Sequence, residues 1–273
     1  KKYFCILIGN NVFKFYFQCL KLISIVMTHI VYMSCKGARM KAVFFDLDDT
    51  LYDQLQPFSQ SYHDHFALYD IPIPALYQRS RVNSDTVFHD TEAGTISVSD
   101  MHHYRIQQAM ADFGYQITLT EAAAFQKSYF AYQQKITLLD DVRATLDLCY
   151  RSNITMGIIT NGPSAHQRMK IKQLALQQWI PENRIFISSE QGIAKPNKKL
   201  FLKAAWDIHA SPNELLYVGD SYQNDIMGAK AAGWQVIWLN RRQNVLSENQ
   251  LLPDMIVEPQ DSLLEKMMAM LSH

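Results

Sequence analysis

The sequence predicts an α/β protein whose parallel sheet is covered by helices on both faces and carries a helical insertion after its first strand. Two observations support this class. Five short apolar runs alternate with stretches of helical spacing, and the part of the chain between the first two runs lacks a convincing buried strand. Strands that are buried on both faces are continuous apolar runs, as in parallel sheets between helices. The predicted strands are Ala42–Phe45, Ile154–Ile159, Arg184–Ser188, Leu215–Val218 and Gln235–Leu239.

The strands after the first follow stretches with the apolar spacing of a helix. Val142, Leu146 and Cys149 recur at i, i+4 and i+7, which places them on one helical face. Ala165–Leu176 and Lys198–Ile208 show the same kind of spacing. This alternation predicts parallel strands joined by crossover helices.

The insertion is predicted to be a helical domain of residues 53–138. The parallel core then consists of residues 40–52 and 139–273. Proline and glycine residues separate the helical stretches of the insertion. The predicted helices are Phe58–Tyr69, Ile73–Asn83, Val98–Phe113 and Leu119–Gln134.

The charge of the chain indicates which partners it can bind, and its cysteine content indicates the cellular compartment. The 273 residues include 26 basic and 26 acidic side chains, with a formal net charge of +0 and no long basic run. A nucleic-acid polymer or an anionic membrane is therefore not the expected partner. Cys149 is the only cysteine after residue 35. A lone cysteine cannot form an internal disulfide, so we expect the main body in the reducing cytoplasm.

Residues 1–39 differ in composition from the rest of the chain. They contain no acidic side chain, and the run Phe15–Cys35 is about long enough to span a bilayer, although Lys21 and His29 interrupt it. A membrane anchor or an uncleaved signal is one interpretation. We favour a non-native or disordered extension, because Met40 directly precedes the first predicted strand.

Polar residues follow four of the predicted strands. Asp46 and Asp48 follow the first, Thr160-Asn161-Gly162 the second, Lys195 lies in a loop after the third, and Asp220 and Asp225 follow the fourth. In parallel α/β sheets ligands bind beyond the carboxyl ends of the strands. We therefore expect these side chains at one site.

The chemistry of these side chains suits a phosphoryl group and a divalent cation. The carboxylates of Asp46, Asp48, Asp220 and Asp225 are oxygen ligands, which Mg²⁺ prefers, and the cation would offset their mutual repulsion. Lys195 adds a positive charge. One of Asp46 and Asp48 can attack phosphorus and the other can move a proton to and from the reacting oxygens.

Four motifs in order resemble the haloacid dehalogenase (HAD) superfamily of phosphohydrolases. They are DLDDT at 46–50, IITNG at 158–162, AKPNKKLF at 194–201 and VGDSYQND at 218–225. The resemblance covers the chain from Met40 to its C-terminus. It implies a Rossmann-like parallel core with a helical cap of the C1 type, which corresponds to the predicted insertion.

The resemblance also implies a role for each matched residue. Asp46 would be the nucleophile and Asp48 the general acid and base. Thr160 and Lys195 would bind the phosphoryl oxygens, with Lys195 also steadying the nucleophile. From the residues alone, we expect Asn161 at the same group, where nearby backbone amides can bind an anion. The implied Mg²⁺ ligands are Asp46, the backbone carbonyl of Asp48, Asp220 and Asp225, the last directly or through water. Asp49 has no implied role, and we interpret it as a solvated turn residue.

The carboxylate of Asp48 favours phosphate chemistry, because the dehalogenases that named the superfamily lack it. The stretch ISSEQGIAKPNKKLF and the TNG triplet resemble the 5′-nucleotidase branch, so a nucleoside 5′-monophosphate is the leading substrate. A phosphoglycolate or sugar-phosphate phosphatase is the alternative, and a hexose-phosphate mutase or a non-catalytic domain that binds a phosphorylated ligand stays open. The expected partner is a small phosphorylated metabolite. No sustained heptad marks an oligomer interface.

Overall fold

A six-stranded parallel sheet forms the centre of the fold. The computed structural model describes residues 40–248 and 250–272, so the predicted extension, residues 1–39, lies outside it. The strands are β1 (Ala42–Phe45), β2 (Thr155–Thr160), β3 (Ile185–Ile187), β4 (Leu215–Gly219), β5 (Gln235–Leu239) and β6 (Met255–Val257). Their order in the sheet is β3-β2-β1-β4-β5-β6, which confirms the predicted fold class.

The central strand β1 sets the position of the site. All four of its side chains are fully buried, because helices cover both faces of a parallel sheet. Phe45 lies opposite Ile158 of β2 and Val218 of β4. The carboxyl ends of these three strands therefore lie within two residues of one another. Beyond β1, the backbone N–H of Asp46 donates to the carbonyl of Val218 at 2.9 Å.

The predicted core helices are present with small shifts at their ends. The stretch predicted as a helix to Leu176 stops at Gln173, because Ala175 takes a left-handed backbone with φ 52°. Strand β6 and four helices were not predicted. The core helices are α6 (Asp140–Arg151), α7 (Ser164–Gln173), α8 (Ser188–Gln191), α9 (Lys198–Asp207), α10 (Met227–Ala231) and α11 (Leu263–Leu271).

The predicted insertion is helical throughout, and residues 53–138 contain no strand. Its helices are α1 (Leu55–Phe66), α2 (Ile73–Thr86), α3 (Phe88–Glu92), α4 (Val98–Asp112) and α5 (Leu119–Gln133). Helix α1 packs against α5, and α2 packs against α4. Their apolar side chains form a cluster of their own, in which the rings of Phe66 and Phe125 stack at 5.3 Å. The domain boundaries at 53 and 138 stay predictions.

None of the helices that the structure describes combines the length and apolar character needed to cross a bilayer. The predicted cytoplasmic location stays a prediction.

Candidate active site

Three of the four predicted acidic residues meet at the carboxyl edge of the sheet. Asp46 follows β1, Asp220 follows β4, and Asp225 lies in a π-helical turn before α10. One carboxylate oxygen from each of the three lies within 4.8 Å of the others. Thr160 ends β2, and its hydroxyl is buried beside the same edge.

Lys195 reaches into this carboxylate group from the loop before α9. Its Nζ donates to Oδ1 of Asp46 at 2.6 Å, to Oδ1 of Asp225 at 2.6 Å and to the hydroxyl of Tyr217 at 3.0 Å. The lysine is 4% exposed. Although burial lowers the pKa of a lysine, Asp225 and Asp46 outweigh burial and raise the pKa of Lys195. The ammonium is therefore charged and held against the candidate nucleophile.

The side chain of Asn161 fixes the loop that carries Lys195. Its Oδ1 accepts from the backbone N–H of Lys195 at 2.8 Å, and its Nδ2 donates to the backbone carbonyl of Lys195 at 3.0 Å. Asn161 and Lys195 line one cavity together. The structure therefore shows Asn161 positioning Lys195, while its predicted contact with substrate stays a prediction.

The acidic group has the properties of a divalent-cation site. The carboxylate of Asp220 accepts no hydrogen bond and forms no ion pair with any described residue. Burial, followed by the negative charges of Asp49, Asp225 and Asp46, raises the pKa of Asp220 well above its usual value. Burial likewise raises the pKa of Asp46 to about 7 against the opposing effect of Lys195. A bound cation would offset both the cost of burying these charges and their mutual repulsion.

Glycine at position 219 leaves room for one of these carboxylates. A Cβ at Gly219 would lie 2.4 Å from Oδ2 of Asp225. The same Oδ2 accepts from the backbone N–H of Ser221 at 2.9 Å. Any side chain at 219 would therefore displace Asp225 from the acidic group.

The carboxylate of Asp48 accepts hydrogen bonds from side chains other than those that contact Asp46. Its Oδ1 and Oδ2 lie 2.7 and 2.9 Å from Nζ of Lys170. Gln54 and Gln167 each donate at 3.0 Å, and the hydroxyl of Tyr52 donates to Oδ1. Burial would raise the pKa of Asp48, but Lys170 and the hydrogen bonds hold it well below its usual range. Asp48 is thus an ionised carboxylate here.

The sequence analysis did not identify Lys170 or Gln167. Both lie on α7, three positions apart, just after the TNG triplet at the end of β2. Residues at i and i+3 share a helix face, and both are buried. A polar pair at that spacing on a helix that starts beside the site was the available signal.

Replacing Lys170 by methionine should lower the free energy of unfolding by about 2 kcal/mol, because Asp48 loses a charge-assisted partner. Lys172→Met is the matched control, since Lys172 is exposed on the same helix. Urea unfolding of both variants measures the difference. Equal stability of the two variants would show that the Lys170–Asp48 pair contributes nothing.

The interpretation of Asp49 as a solvated turn residue is wrong. Asp49 is buried, with φ 58°. Its carboxylate accepts from the backbone N–H of Gln54 at 2.8 Å, from the hydroxyl of Tyr77 at 2.6 Å and from Arg242 at 2.7 Å. Tyr77 and Arg242 lie far from Asp49 in the sequence, so no local pattern could reveal these two partners. Asp49 links helix α2 to the loop after β5.

The chain matches known proteins over most of its length. A model of the haloacid dehalogenase-like hydrolases matches residues 40–233. The glyceraldehyde 3-phosphate phosphatase of Methanopyrus kandleri is 27% identical over 222 residues, which are 74% of this chain and 84% of the relative. The pyrimidine 5′-nucleotidase YjjG of Escherichia coli is 28% identical over 203 residues, 72% of this chain and 85% of the relative. The structure of the putative HAD-hydrolase YfnB from Bacillus subtilis is similar with a TM-score of 0.64 at 21% identity, covering 86% of this chain and 100% of that one.

Proposed function

This chain belongs to the haloacid dehalogenase-like hydrolases, and on that basis we propose that it hydrolyses a small phosphate monoester through an aspartyl phosphate on Asp46. The observation that carries the proposal is the placement in one cavity of two carboxylates whose pKa values are shifted in opposite directions, upward for Asp46 and downward for Asp48. Asp46 is beside Lys195, and Asp48 is in its own set of donors. Relatives that are named phosphatases support the reaction class.

In the first step an oxygen of Asp46 bonds to phosphorus while the bond from phosphorus to the leaving oxygen breaks. Asp48, as a carboxylic acid, gives its proton to the leaving oxygen. In the second step water attacks phosphorus, Asp48 takes the proton of that water, and the bond between Asp46 and phosphorus breaks. Thr160 and Lys195 donate to the phosphoryl oxygens in both steps.

The observed surroundings of Asp48 match the second step, because every contact donates to an ionised carboxylate. The first step needs a proton on Asp48 and a side chain that reaches the leaving oxygen. We propose that Asp48 turns out of its contacts with Lys170 and Gln167 when substrate binds. The helical cap, residues 53–138, would close over the substrate in the same event.

Asp46, Asp220 and Asp225 would hold Mg²⁺ together with the backbone carbonyl of Asp48. The ion would supply positive charge to the phosphoryl oxygens as negative charge develops on them. The uncontacted carboxylate of Asp220 is the feature that best fits this role.

The substrate stays open between the two predicted classes. A nucleoside 5′-monophosphate is the leading prediction, and the relative named a pyrimidine nucleotidase supports it. The relative named glyceraldehyde 3-phosphate phosphatase supports the sugar-phosphate alternative. A cavity of about 720 Å³ between the cap helices and the sheet edge has room for either.

Phosphate release from a panel of small phosphomonoesters tests the proposed function. The panel includes nucleoside monophosphates, sugar phosphates, phosphoglycolate and p-nitrophenyl phosphate, each with Mg²⁺ and with excess chelator. We expect release that requires the metal. Folded protein that binds panel members but releases no phosphate from any of them would favour the non-catalytic alternative.

A further inference from the structure

Two arginines of the cap face the cavity that also holds the candidate catalytic residues. Arg81 lies on α2 and Arg105 on α4. Both line the cavity of about 720 Å³, together with Asp48 and Lys195. Arg81 also lines the adjoining cavity of about 380 Å³ that contains Asp46. Arg81 therefore lies where the two cavities meet.

Arg105 carries a buried charge without a carboxylate partner. It is 7% exposed, donates to Oε1 of Gln126 at 3.0 Å, and its guanidinium lies 5.7 Å from the ring centre of Tyr129. It forms no ion pair with any residue that the structure describes. Burial and then the charge of Arg81 act against ionisation and lower the pKa of Arg105 to about 10. A buried cation is costly unless an anion pairs with it.

The guanidinium of Arg81 also forms no ion pair and no hydrogen bond with any described residue. The carboxylate nearest to it along α2 is Asp85, one turn further on. Burial raises the pKa of Asp85 despite the opposing charge of Arg81. Although burial acts against its charge, Tyr77 and Asp85 raise the pKa of Arg81, so its guanidinium is charged. No described carboxylate forms an ion pair with it, and its N–H donors stay available for a ligand.

The other titratable groups that line the cavity give neither arginine an anionic partner. His102 and His166 both line the cavity, and burial lowers their pKa values to about 2 and about 3. Both rings are therefore neutral at pH 7. Glu92 also lines the cavity, but its carboxylate pairs with neither arginine. Lys170 and Lys195 are already paired with aspartates.

We propose that Arg81 and Arg105 bind a second anionic group, on the part of the substrate that leaves with its oxygen. The substrate class is then a small phosphomonoester that also carries a carboxylate or a second phosphate, since a guanidinium binds either through paired N–H donors. This inference rests on the proposed function, which places the reacting phosphoryl group at Asp46. A nucleoside 5′-monophosphate would bring a neutral sugar and base to the arginines, so the phosphoglycolate-type alternative is favoured.

The test compares substrates that differ only in the second group. 3-Phosphoglycerate has a carboxylate where glycerol 3-phosphate has a hydroxymethyl group, and glycerol 1,3-bisphosphate has a second phosphate. We expect kcat/KM for one of the two anionic substrates to exceed that for glycerol 3-phosphate by roughly tenfold or more. Which of the two is faster distinguishes a carboxylate site from a phosphate site. Uridine 5′-monophosphate completes the set as the neutral nucleoside.

The measured quantity is kcat/KM for the faster substrate with a second anionic group, divided by kcat/KM for glycerol 3-phosphate. The variants Arg81→Met and Arg105→Met should each bring this ratio towards one. A ratio taken within one variant cancels any common loss of folded or active enzyme. Arg79→Met is the matched control, because Arg79 lies on the same helix, is exposed and pairs with Asp112 at 2.6 Å. Its ratio should equal that of the parent.

Two results would overturn the inference while the proposed function stands. One is equal or lower kcat/KM for both anionic substrates in the parent enzyme. The other is an unchanged ratio in both arginine variants. Failure of the proposed function is a different result, in which no substrate, including p-nitrophenyl phosphate, releases phosphate, and the inference then falls with it.

Discussion

Asp46→Asn should abolish phosphate release, with kcat falling by roughly 10⁴-fold or more. An amide of the same shape cannot form the bond to phosphorus that the proposed mechanism requires. The change keeps the volume of the side chain, and Lys195 retains Asp225 as a partner at 2.6 Å. We therefore expect a folded protein. Phosphate release with the best panel substrate measures the effect.

Asp207→Asn is the control for this loss. Asp207 is exposed at the end of α9, and among the described residues its carboxylate pairs with Lys203 alone. Its replacement should leave kcat within twofold of the parent, roughly 0.4 kcal/mol. If Asp46→Asn kept kcat within tenfold of the parent, Asp46 would not be the nucleophile.

Lys195→Met should cost about 3–5 kcal/mol of unfolding free energy in metal-free protein, because it leaves two buried carboxylates without their shared cation. Asp46 and Asp225 each lie 2.6 Å from the ammonium that would be lost. Added Mg²⁺ should recover part of this loss, since a cation that binds only the folded state stabilises it. Thermal or urea unfolding with Mg²⁺ and with chelator measures both effects.

The comparison variant is Lys199→Met, which removes an exposed lysine four positions further on. Its stability should change by less than about 0.5 kcal/mol. A Lys195→Met protein as stable as Lys199→Met without metal would contradict the structural role of the buried ammonium. A loss that Mg²⁺ does not reduce would argue against a cation site at the three aspartates.

Five strands of the sheet could be predicted from the sequence, because buried parallel strands are continuous apolar runs. The five predicted strands are all present. Strand β6 was missed because it has three residues at the sheet edge and follows a loop instead of a helix. The end of α7 was missed because nothing in the local sequence requires the left-handed backbone at Ala175.

The site could be predicted only where its residues follow strands. Asp46, Asp220 and Asp225 could be placed together because the ends of parallel strands share an edge. The partners of Asp49 and Asp48 could not, since Tyr77 and Lys170 reach them from helices whose packing depends on the whole fold.

The unpaired state of Arg81 and Arg105 was likewise beyond sequence reasoning. Arginine on an amphipathic helix is usually solvated or paired with a neighbour. Only the packing of α2 and α4 shows that both guanidinium groups face a cavity and form no ion pair with a carboxylate of the described residues. The substrate specificity of this site therefore cannot be predicted without the three-dimensional structure.

Identification of the phosphorylated residue tests the central claim most directly. The Asp48→Asn variant is mixed with Mg²⁺ and p-nitrophenyl phosphate, whose leaving group departs without a proton from Asp48, and is then quenched in acid, digested and analysed by mass spectrometry. Asp46 should carry one phosphoryl group, because the variant lacks the base that activates water for the second step. Asp46→Asn prepared in parallel should carry none. Phosphate release without phosphorylation at Asp46, or a phosphoryl group on another residue, would contradict the proposed mechanism.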